Sequence, residues 1–219
     1  MTSRPKQTEP RPQPRLYLVT PPVEDAQAFA APLEAALAAG EVAAVLLRLA
    51  PGDERALINR SKALARIVQD AGAALVLDGH ADLAARAGAD GAHLTGIDAF
   101  ADALETLKPD RIAGCGGLGT RHDAMLAAEQ GADYVMFGEP DASGHRPGFV
   151  AIEERVAWWA EVFEAPCVAY AGELAEITPL VKAGADFIAL GDFVWSGPES
   201  AAATVAQAIR FMGLPETTA

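Results

Sequence analysis

The sequence predicts a closed (β/α)8 (TIM) barrel, and three observations lead to that prediction. Short apolar runs alternate with helical stretches along most of the chain, and eight such pairs can be distinguished. The runs are continuously apolar, as expected of parallel strands that are covered on both faces. The length of 219 residues fits one domain, and eight pairs within it favour a closed barrel over an open doubly wound sheet.

Each apolar run is predicted as a strand, at residues 15–20, 42–48, 75–77, 92–94, 111–115, 134–137, 167–170 and 187–190. The stretches between them are predicted as helices, at residues 24–39 (interrupted at Pro32), 51–71, 81–87, 97–107, 120–130, 151–163, 174–183 and 199–212. Thr120 is the expected N-cap of the fifth helix. The segments 139–149 and 191–198 are predicted as loops.

A short phrase recurs at the ends of predicted helices. Gly-Ala-Ala occurs at 72–74, and Gly-Ala-Asp occurs at 88–90, 131–133 and 184–186. Glycine suits the left-handed position that follows a helix, and alanine has room to pack between helices and sheet. The phrase therefore indicates successive βα units of one sheet.

Composition limits the domain organisation. Residues 1–14 contain four prolines and almost no apolar residue, so they are predicted to be a disordered tail. The barrel is expected over 15–213, and 214–219 are predicted as a C-terminal tail. Trp158 lies on an amphipathic helix, where partial exposure would indicate a homodimer surface.

Charge and hydropathy exclude several classes of partner. The net charge of −13 argues against nucleic acid, because phosphate backbones require a basic surface. No apolar run reaches the roughly 18 residues needed to cross a membrane, and the N-terminus lacks the apolar segment of a secretory signal. Cys115 and Cys167 fall within predicted strands and are interpreted as structural thiols in a reduced cytoplasm. A cytoplasmic location is therefore expected.

The carboxyl ends of parallel strands meet at one face of a barrel, where the ligand site is expected. Asp78 ends the third apolar run, and His93 lies in the fourth. Gly172 and Gly191 precede the last two helices, where backbone amides can approach an anion. The last two loops are the usual phosphate site of such barrels, so these glycines predict one here.

Several candidate residues have two interpretations at this stage. His93 is either a satisfied histidine of the barrel core or a functional one. His122 is either a surface residue of a first helical turn or a catalyst. Asp78 and Asp98 together are candidates for a divalent cation, since Mg²⁺ often sits on one or two carboxylates. Arg146 lies in the longest loop and is a candidate for anion contact.

From residue 15 onward the sequence resembles the thiamine phosphate synthase and thiazole tautomerase (TenI-like) family. The resemblance rests on LYLVT at 16–20, the strand that ends in Arg48, GADGAHL at 88–94 with Asp98 after it, GADYVMFG at 131–138, PCVAYAG at 166–172 and AGADFIAL at 183–190. It implies a (β/α)8 barrel that acts on small phosphorylated heterocycles. Synthases of this family join a pyrimidine diphosphate to a thiazole phosphate with Mg²⁺, and the tautomerases aromatise the thiazole phosphate.

The resemblance also implies roles for individual residues. Arg48 and Arg146 would hold the diphosphate, and Asp98 would hold the magnesium. The thiazole phosphate would bind at Gly172 and Gly191. Gly138 matches the glycine that ends the sixth strand in the family and is a further phosphate-site candidate. In a tautomerase, His93 or His122 would be the general base.

Four positions depart from the family pattern and predict a weakened synthase site. Ala50 stands where the family has a diphosphate-binding lysine, and Gly79 stands where it has a magnesium aspartate. Glu139 replaces a proline, and Asp192 replaces the serine beside the thiazole phosphate. A carboxylate within about 4–5 Å of a phosphate costs a few kcal/mol in a partly shielded cleft. A non-catalytic small-molecule-binding or regulatory barrel and a tautomerase-like isomerase are therefore the alternatives to the synthase.

Overall fold

Eight parallel strands close into a barrel in this computed structural model, which describes residues 12–197 and 199–214. Neighbouring strands pair in chain order, and the first strand pairs with the last to complete the ring. The strands are β1 (Arg15–Val19), β2 (Val42–Leu47), β3 (Ala74–Asp78), β4 (Gly91–Thr95), β5 (Ile112–Gly116), β6 (Tyr134–Phe137), β7 (Cys167–Ala171) and β8 (Phe187–Leu190). The predicted (β/α)8 fold is confirmed.

Helices follow the strands and surround the barrel. They are α1 (Ala26–Ala38), α2 (Glu54–Asp70), α3 (Ala81–Ala87), α4 (Ile97–Leu107), α5 (Arg121–Glu129), α6 (Phe149–Val162), α7 (Leu174–Ala183), α8 (Phe193–Ser196) and α9 (Ala201–Phe211). Thr120 caps α5 as predicted, because its side chain accepts from the Asp123 amide in a reciprocal capping box.

Two details of the predicted elements are wrong. Pro32 does not interrupt the first helix, because α1 continues through it. Leu33 and Leu37 of this helix are buried, and such packing outweighs the hydrogen bond that proline cannot donate. The segment 191–198 was expected to be a loop, but α8 forms one helical turn within it. Its Val194 is fully buried, which favours the turn.

The strands separate two buried layers. Inside the barrel, aromatic and aliphatic side chains pack together, namely Tyr17, Val19, Ala44, Leu46, Val76, Tyr134, Met136, Val168, Tyr170 and Ala189. Alternate residues such as Leu16, Leu18 and Leu47 point outward and pack under the helices. This alternation explains the continuously apolar runs, because both faces of each strand are buried.

The aspartates of the Gly-Ala-Asp phrases tie adjacent strands together. The Asp90 carboxylate accepts from the Leu75 amide at 2.7 Å, while its own amide donates to the Leu75 carbonyl at 2.8 Å. Asp133 pairs in the same way with Ala113, and Asp186 with Cys167. The phrase therefore ends a helix, as predicted, and also satisfies an amide near the start of the preceding strand.

The predicted tail over residues 1–14 lies mostly outside the described residues, as do 215–219 of the predicted C-terminal tail; residues 12–14 have no regular structure. Within the described chain, no helix has the length and apolar character needed to cross a membrane. Trp158 is half-buried, and the Arg121 guanidinium lies 4.7 Å from its ring centroid. The homodimer stays a prediction.

We predict that Asp90→Ala lowers the free energy of unfolding by about 1–3 kcal/mol, because it leaves the Leu75 amide without its acceptor. Urea denaturation measures this change. Asp102→Ala on the exposed face of α4 is the control and should stay within about 0.5 kcal/mol of wild type. Equal stability of the two variants would contradict the role assigned to Asp90.

Candidate functional site

The carboxyl ends of the strands surround a small cavity of about 80 Å³, which we call the mouth cavity. Its lining includes the residues Val19, Leu46, Arg48, Asp78, His93, Thr95, Met136, Glu139, Pro140 and Tyr170. Three of the predicted site residues, Arg48, Asp78 and His93, are therefore brought together. Titratable groups from the ends of five strands, β2, β3, β4, β6 and β7, face one space, as expected of a barrel active site.

Arg48 is fixed across the rim between the ends of β2, β1 and β8. Its amide donates to the Thr20 hydroxyl at 3.0 Å, and its Nε donates to the Thr20 carbonyl. One Nη of the guanidinium pairs with the Asp192 carboxylate. Asp192 was expected to repel the thiazole phosphate, and the structure shows that its carboxylate is paired with Arg48, the cation predicted to bind the diphosphate.

Arg146 joins the ends of β6 and β7. Its Nε donates to the Gly138 carbonyl at 2.6 Å, and Nη2 donates to the Tyr170 carbonyl at 2.8 Å. Both Nη atoms also contact the Glu176 carboxylate of α7, at 3.1 and 2.9 Å. The Arg146 and Glu176 side chains are only 22% and 13% exposed, so this two-pronged ion pair is shielded from solvent.

The Glu176 carboxylate also accepts a hydrogen bond from the Gly172 amide, which was predicted to bind a phosphate. Its Oε2 accepts from the Gly172 amide at 2.7 Å, beside the Arg146 guanidinium. An amide and a guanidinium aimed at one carboxylate oxygen form an oxyanion-binding arrangement. The predicted anion site at Gly172 therefore exists as a geometry, and a side chain of the same chain fills it.

Glu139 is a third carboxyl group at the rim, and a backbone amide holds it. It is half-buried after β6, and its Oε1 accepts from the Gly117 amide after β5. Burial raises the pKa of Glu139 above its usual value, and the Gly117 hydrogen bond offsets part of the rise. Burial likewise raises the pKa of Asp78, against the attraction of nearby Arg48.

A chain of hydrogen bonds runs through the barrel core to the mouth. The Tyr17 and Tyr134 hydroxyls lie 2.8 Å apart, and the Tyr134 hydroxyl lies 3.0 Å from His93 Nδ1. Burial lowers the pKa of His93 to about 4, so the imidazole is neutral at pH 7. His93 is thus a satisfied core histidine that also lines the mouth cavity, and its functional role stays a prediction.

The two predicted metal residues, Asp78 and Asp98, lie in different surroundings. Asp78 lines the mouth cavity, whereas Asp98 lies exposed in the first turn of α4. Among the described residues, no three histidine, cysteine or acidic side chains form a ready-made metal cluster. Of the two predicted ligands, the structure brings Asp78 to the mouth cavity and leaves Asp98 on the exposed first turn of α4, so Mg²⁺ binding stays a prediction.

The remaining predicted residues lie at the rim in different ways. His122 is exposed in the first turn of α5 and is not among the residues that line the mouth cavity. Gly138 adopts a φ of 93°, a backbone conformation that favours glycine. Its carbonyl accepts a hydrogen bond from Arg146. A side chain at Gly191 would collide with the Tyr170 hydroxyl, so close packing requires this glycine. The assignments of these three residues stay predictions.

Glu176 and the three inward tyrosines were not singled out from the sequence. The tyrosines had a signal, because Tyr17 alternates with outward-facing leucines in β1 and must point into the barrel. Glu176 had none, since an acidic residue in the first turn of a helix is ordinary. Its importance depends on Arg146, which lies thirty residues away in sequence.

Fold and rim together define a (β/α)8 barrel in which guanidinium and amide donors at the mouth hold carboxylate groups of the chain itself. The family model described as thiamine monophosphate synthase matches residues 16–193. A thiamine-phosphate synthase of Rhodospirillum centenum is 44% identical over 90% of this chain and 97% of the relative, and one of Hyphomonas neptunium is 39% identical over 90% and 93%.

The chain therefore belongs to the thiamine monophosphate synthase family, as the sequence resemblance predicted. Among solved structures, thiamine phosphate pyrophosphorylase from Pyrococcus furiosus matches with a TM-score of 0.74 at 22% identity. That match covers 92% of this chain and 96% of the other, and it supports the barrel fold.

We predict that His93 makes the stability of the protein fall in acid. Its folded pKa of about 4 lies below its usual value, so the unfolded chain binds the proton first as the pH falls from about 6.5 to 4. Between pH 7.5 and 4.5 the wild type should lose about 2–3 kcal/mol more unfolding free energy than His93→Gln.

Urea denaturation at the two pH values measures the difference. His122→Gln, at an exposed position, is the matched control and should follow the wild-type profile. Parallel pH dependence of the wild type and His93→Gln would show that the buried histidine does not cause the loss.

Proposed function

We propose that this protein is a thiamine phosphate synthase. In this reaction the bond between the pyrimidine methylene carbon and the diphosphate oxygen breaks, the thiazole nitrogen bonds to that carbon, and pyrophosphate leaves. Family membership and the two named relatives support the reaction class. The observation that carries the proposal is the oxyanion arrangement at Gly172 and Arg146, which holds the Glu176 carboxylate.

Each substrate anion has a cation or amide at the rim. Arg48 would bind the diphosphate, because its guanidinium lines the mouth cavity and is positioned by Thr20. Arg146, which the resemblance assigned to the diphosphate, lies beside the Gly172 amide, so these two groups would bind the thiazole phosphate in place of Glu176. This places the thiazole phosphate at the end of β7, within the usual phosphate region of such barrels.

Asp78 and Asp98 would hold Mg²⁺ with the diphosphate, and the metal would neutralise charge on the leaving pyrophosphate. Arg48 contributes to the same end, because its positive charge lies beside the departing group. The apolar side chains of Val19, Leu46 and Met136 at the mouth cavity limit the access of water to the reacting carbon.

The internal carboxylates are competitors of the substrates in this proposal. Asp192 must leave Arg48, and Glu176 must leave Arg146, before phosphate oxygens take their places. A barrel that binds a small molecule without catalysis is the second candidate function. The occupied cations favour that alternative, since binding of an uncharged ligand would leave both ion pairs intact.

The proposal includes a cytoplasmic setting, with a small phosphorylated heterocycle as the partner and neither nucleic acid nor membrane involved. The net charge of −13 supports the absence of a nucleic-acid partner.

We predict that the purified wild-type protein forms thiamine phosphate from the pyrimidine diphosphate and the thiazole phosphate with Mg²⁺. Arg48→Met should lower kcat/KM at least about a hundredfold, because it removes a charge-assisted contact to the diphosphate. Arg66→Met, in an exposed pair on α2, is the control and should keep wild-type activity. Absence of product and of substrate binding in the folded wild type would refute the synthase and favour the non-catalytic alternative.

We predict that Glu176→Ala binds thiazole phosphate about tenfold more tightly than the wild type, equivalent to about 1.4 kcal/mol. The Gly172 amide loses its internal acceptor, while the Gly138 and Tyr170 carbonyls still position Arg146. Isothermal titration calorimetry measures the affinity. Glu173→Ala removes a neighbouring exposed carboxylate and should bind as the wild type does. Weaker binding by Glu176→Ala would show that Glu176 is needed to organise the site.

A further inference from the structure

A second cavity adjoins the mouth cavity between the ends of β5 and β6. This side cavity has a volume of about 480 Å³, within the usual range for small-ligand pockets. Its walls include the apolar side chains of Leu118, Met136, Phe137, Pro140 and Pro147. It is therefore suited to a flat, uncharged ring rather than to a phosphate.

Glu139 stands where the two cavities meet. Thr95, Met136, Glu139 and Pro140 line both cavities, and Glu139 is the titratable member of this shared set. Gly117 engages its Oε1, and no described cation forms an ion pair with it. A ligand that extends from one cavity to the other must pass this carboxyl group.

The other polar side chains of the side cavity are hydrogen-bonded within the chain or exposed to solvent. Arg155 donates to the Leu118 and Gly119 carbonyls at 2.6 and 3.1 Å. Asp141 accepts from the Ser143 and His145 amides, and the His145 side chain is exposed. Glu139 is thus the half-buried group best placed to form hydrogen bonds with the polar edge of a ring.

The chemistry of a buried carboxyl group matches one kind of ring edge. Burial favours the acid form, which offers a hydroxyl donor beside a carbonyl acceptor. An aminopyrimidine offers the complement, a ring nitrogen that accepts and an adjacent amino group that donates. The carbonyl oxygen has two lone pairs, so it can accept from the amino group and from Gly117 together.

We propose that Glu139 recognises the amino edge of the substrate pyrimidine, with the ring in the side cavity and the diphosphate toward Arg48. The inference rests on the proposed function, which supplies the pyrimidine. It assigns the carboxyl group a role in specificity, at a position where the family has a proline.

The test is calorimetric titration with the pyrimidine diphosphate and Mg²⁺, without thiazole phosphate, and separately with inorganic pyrophosphate and Mg²⁺. Glu139→Leu should bind the pyrimidine diphosphate at least about tenfold more weakly, because the ring edge loses its partner. Its affinity for pyrophosphate should stay within about twofold of wild type. Glu139→Gln should keep affinity for both ligands within about threefold, because an amide presents the same donor and acceptor.

Glu154→Leu on the exposed side of α6 is the matched control and should bind both ligands as the wild type does. Unchanged binding of the pyrimidine diphosphate by Glu139→Leu would overturn this inference and leave the proposed synthase function standing. Equal losses for both ligands would also overturn it, because they would indicate a structural role. If Glu139→Gln loses as much affinity for the pyrimidine diphosphate as Glu139→Leu does, the proposed donor–acceptor recognition is wrong. A folded wild type that binds pyrophosphate but not the pyrimidine diphosphate would refute the proposed substrate, and the inference with it.

Discussion

The hydrogen bonds between β1 and β8 close the sheet into a ring, and the position of every rim residue depends on that closure. Parallel strands in a closed ring must end on the same face, so their final side chains converge on one mouth. Arg48 follows β2 and Asp192 follows β8, yet they meet because β1 is the single strand between them. The aspartates of the Gly-Ala-Asp phrases support this arrangement at the opposite ends of the strands, where they satisfy backbone amides.

A common physical arrangement unites three of the acidic residues at the rim. Glu139 accepts from a backbone amide, Asp192 pairs with a guanidinium, and Glu176 does both. Buried or half-buried donors need acceptors, and in this structure the chain itself supplies them. The same donors that suit phosphate are thereby kept ordered and neutralised. Substrate affinity in such a site is a difference between two sets of charge-assisted hydrogen bonds, those to the ligand and those to the internal carboxylate.

Prediction of the site from sequence succeeded where the strand pattern alone places a residue. Arg48, Asp78 and His93 were predicted at strand ends or within strands, and all three line the mouth cavity. The environment of His93 was beyond prediction, because its partner Tyr134 lies two strands further along the chain. The role of Glu176 was also beyond prediction, since loop conformations decide which arginine it meets. Long-range contacts between loops carry no period that a sequence can display.

The sequence by itself determined the barrel, because strand and helix periods, helix-ending glycines and chain length are local properties that repeat eight times. It also determined family membership through the strand motifs. Only the tertiary structure decided that Asp192 neutralises Arg48 and that Glu176 occupies the Gly172 amide. The physical reason is that charge effects depend on distance and burial in three dimensions. The same substitution therefore repels a phosphate when its carboxylate is free, and becomes an internal partner when a guanidinium lies beside it.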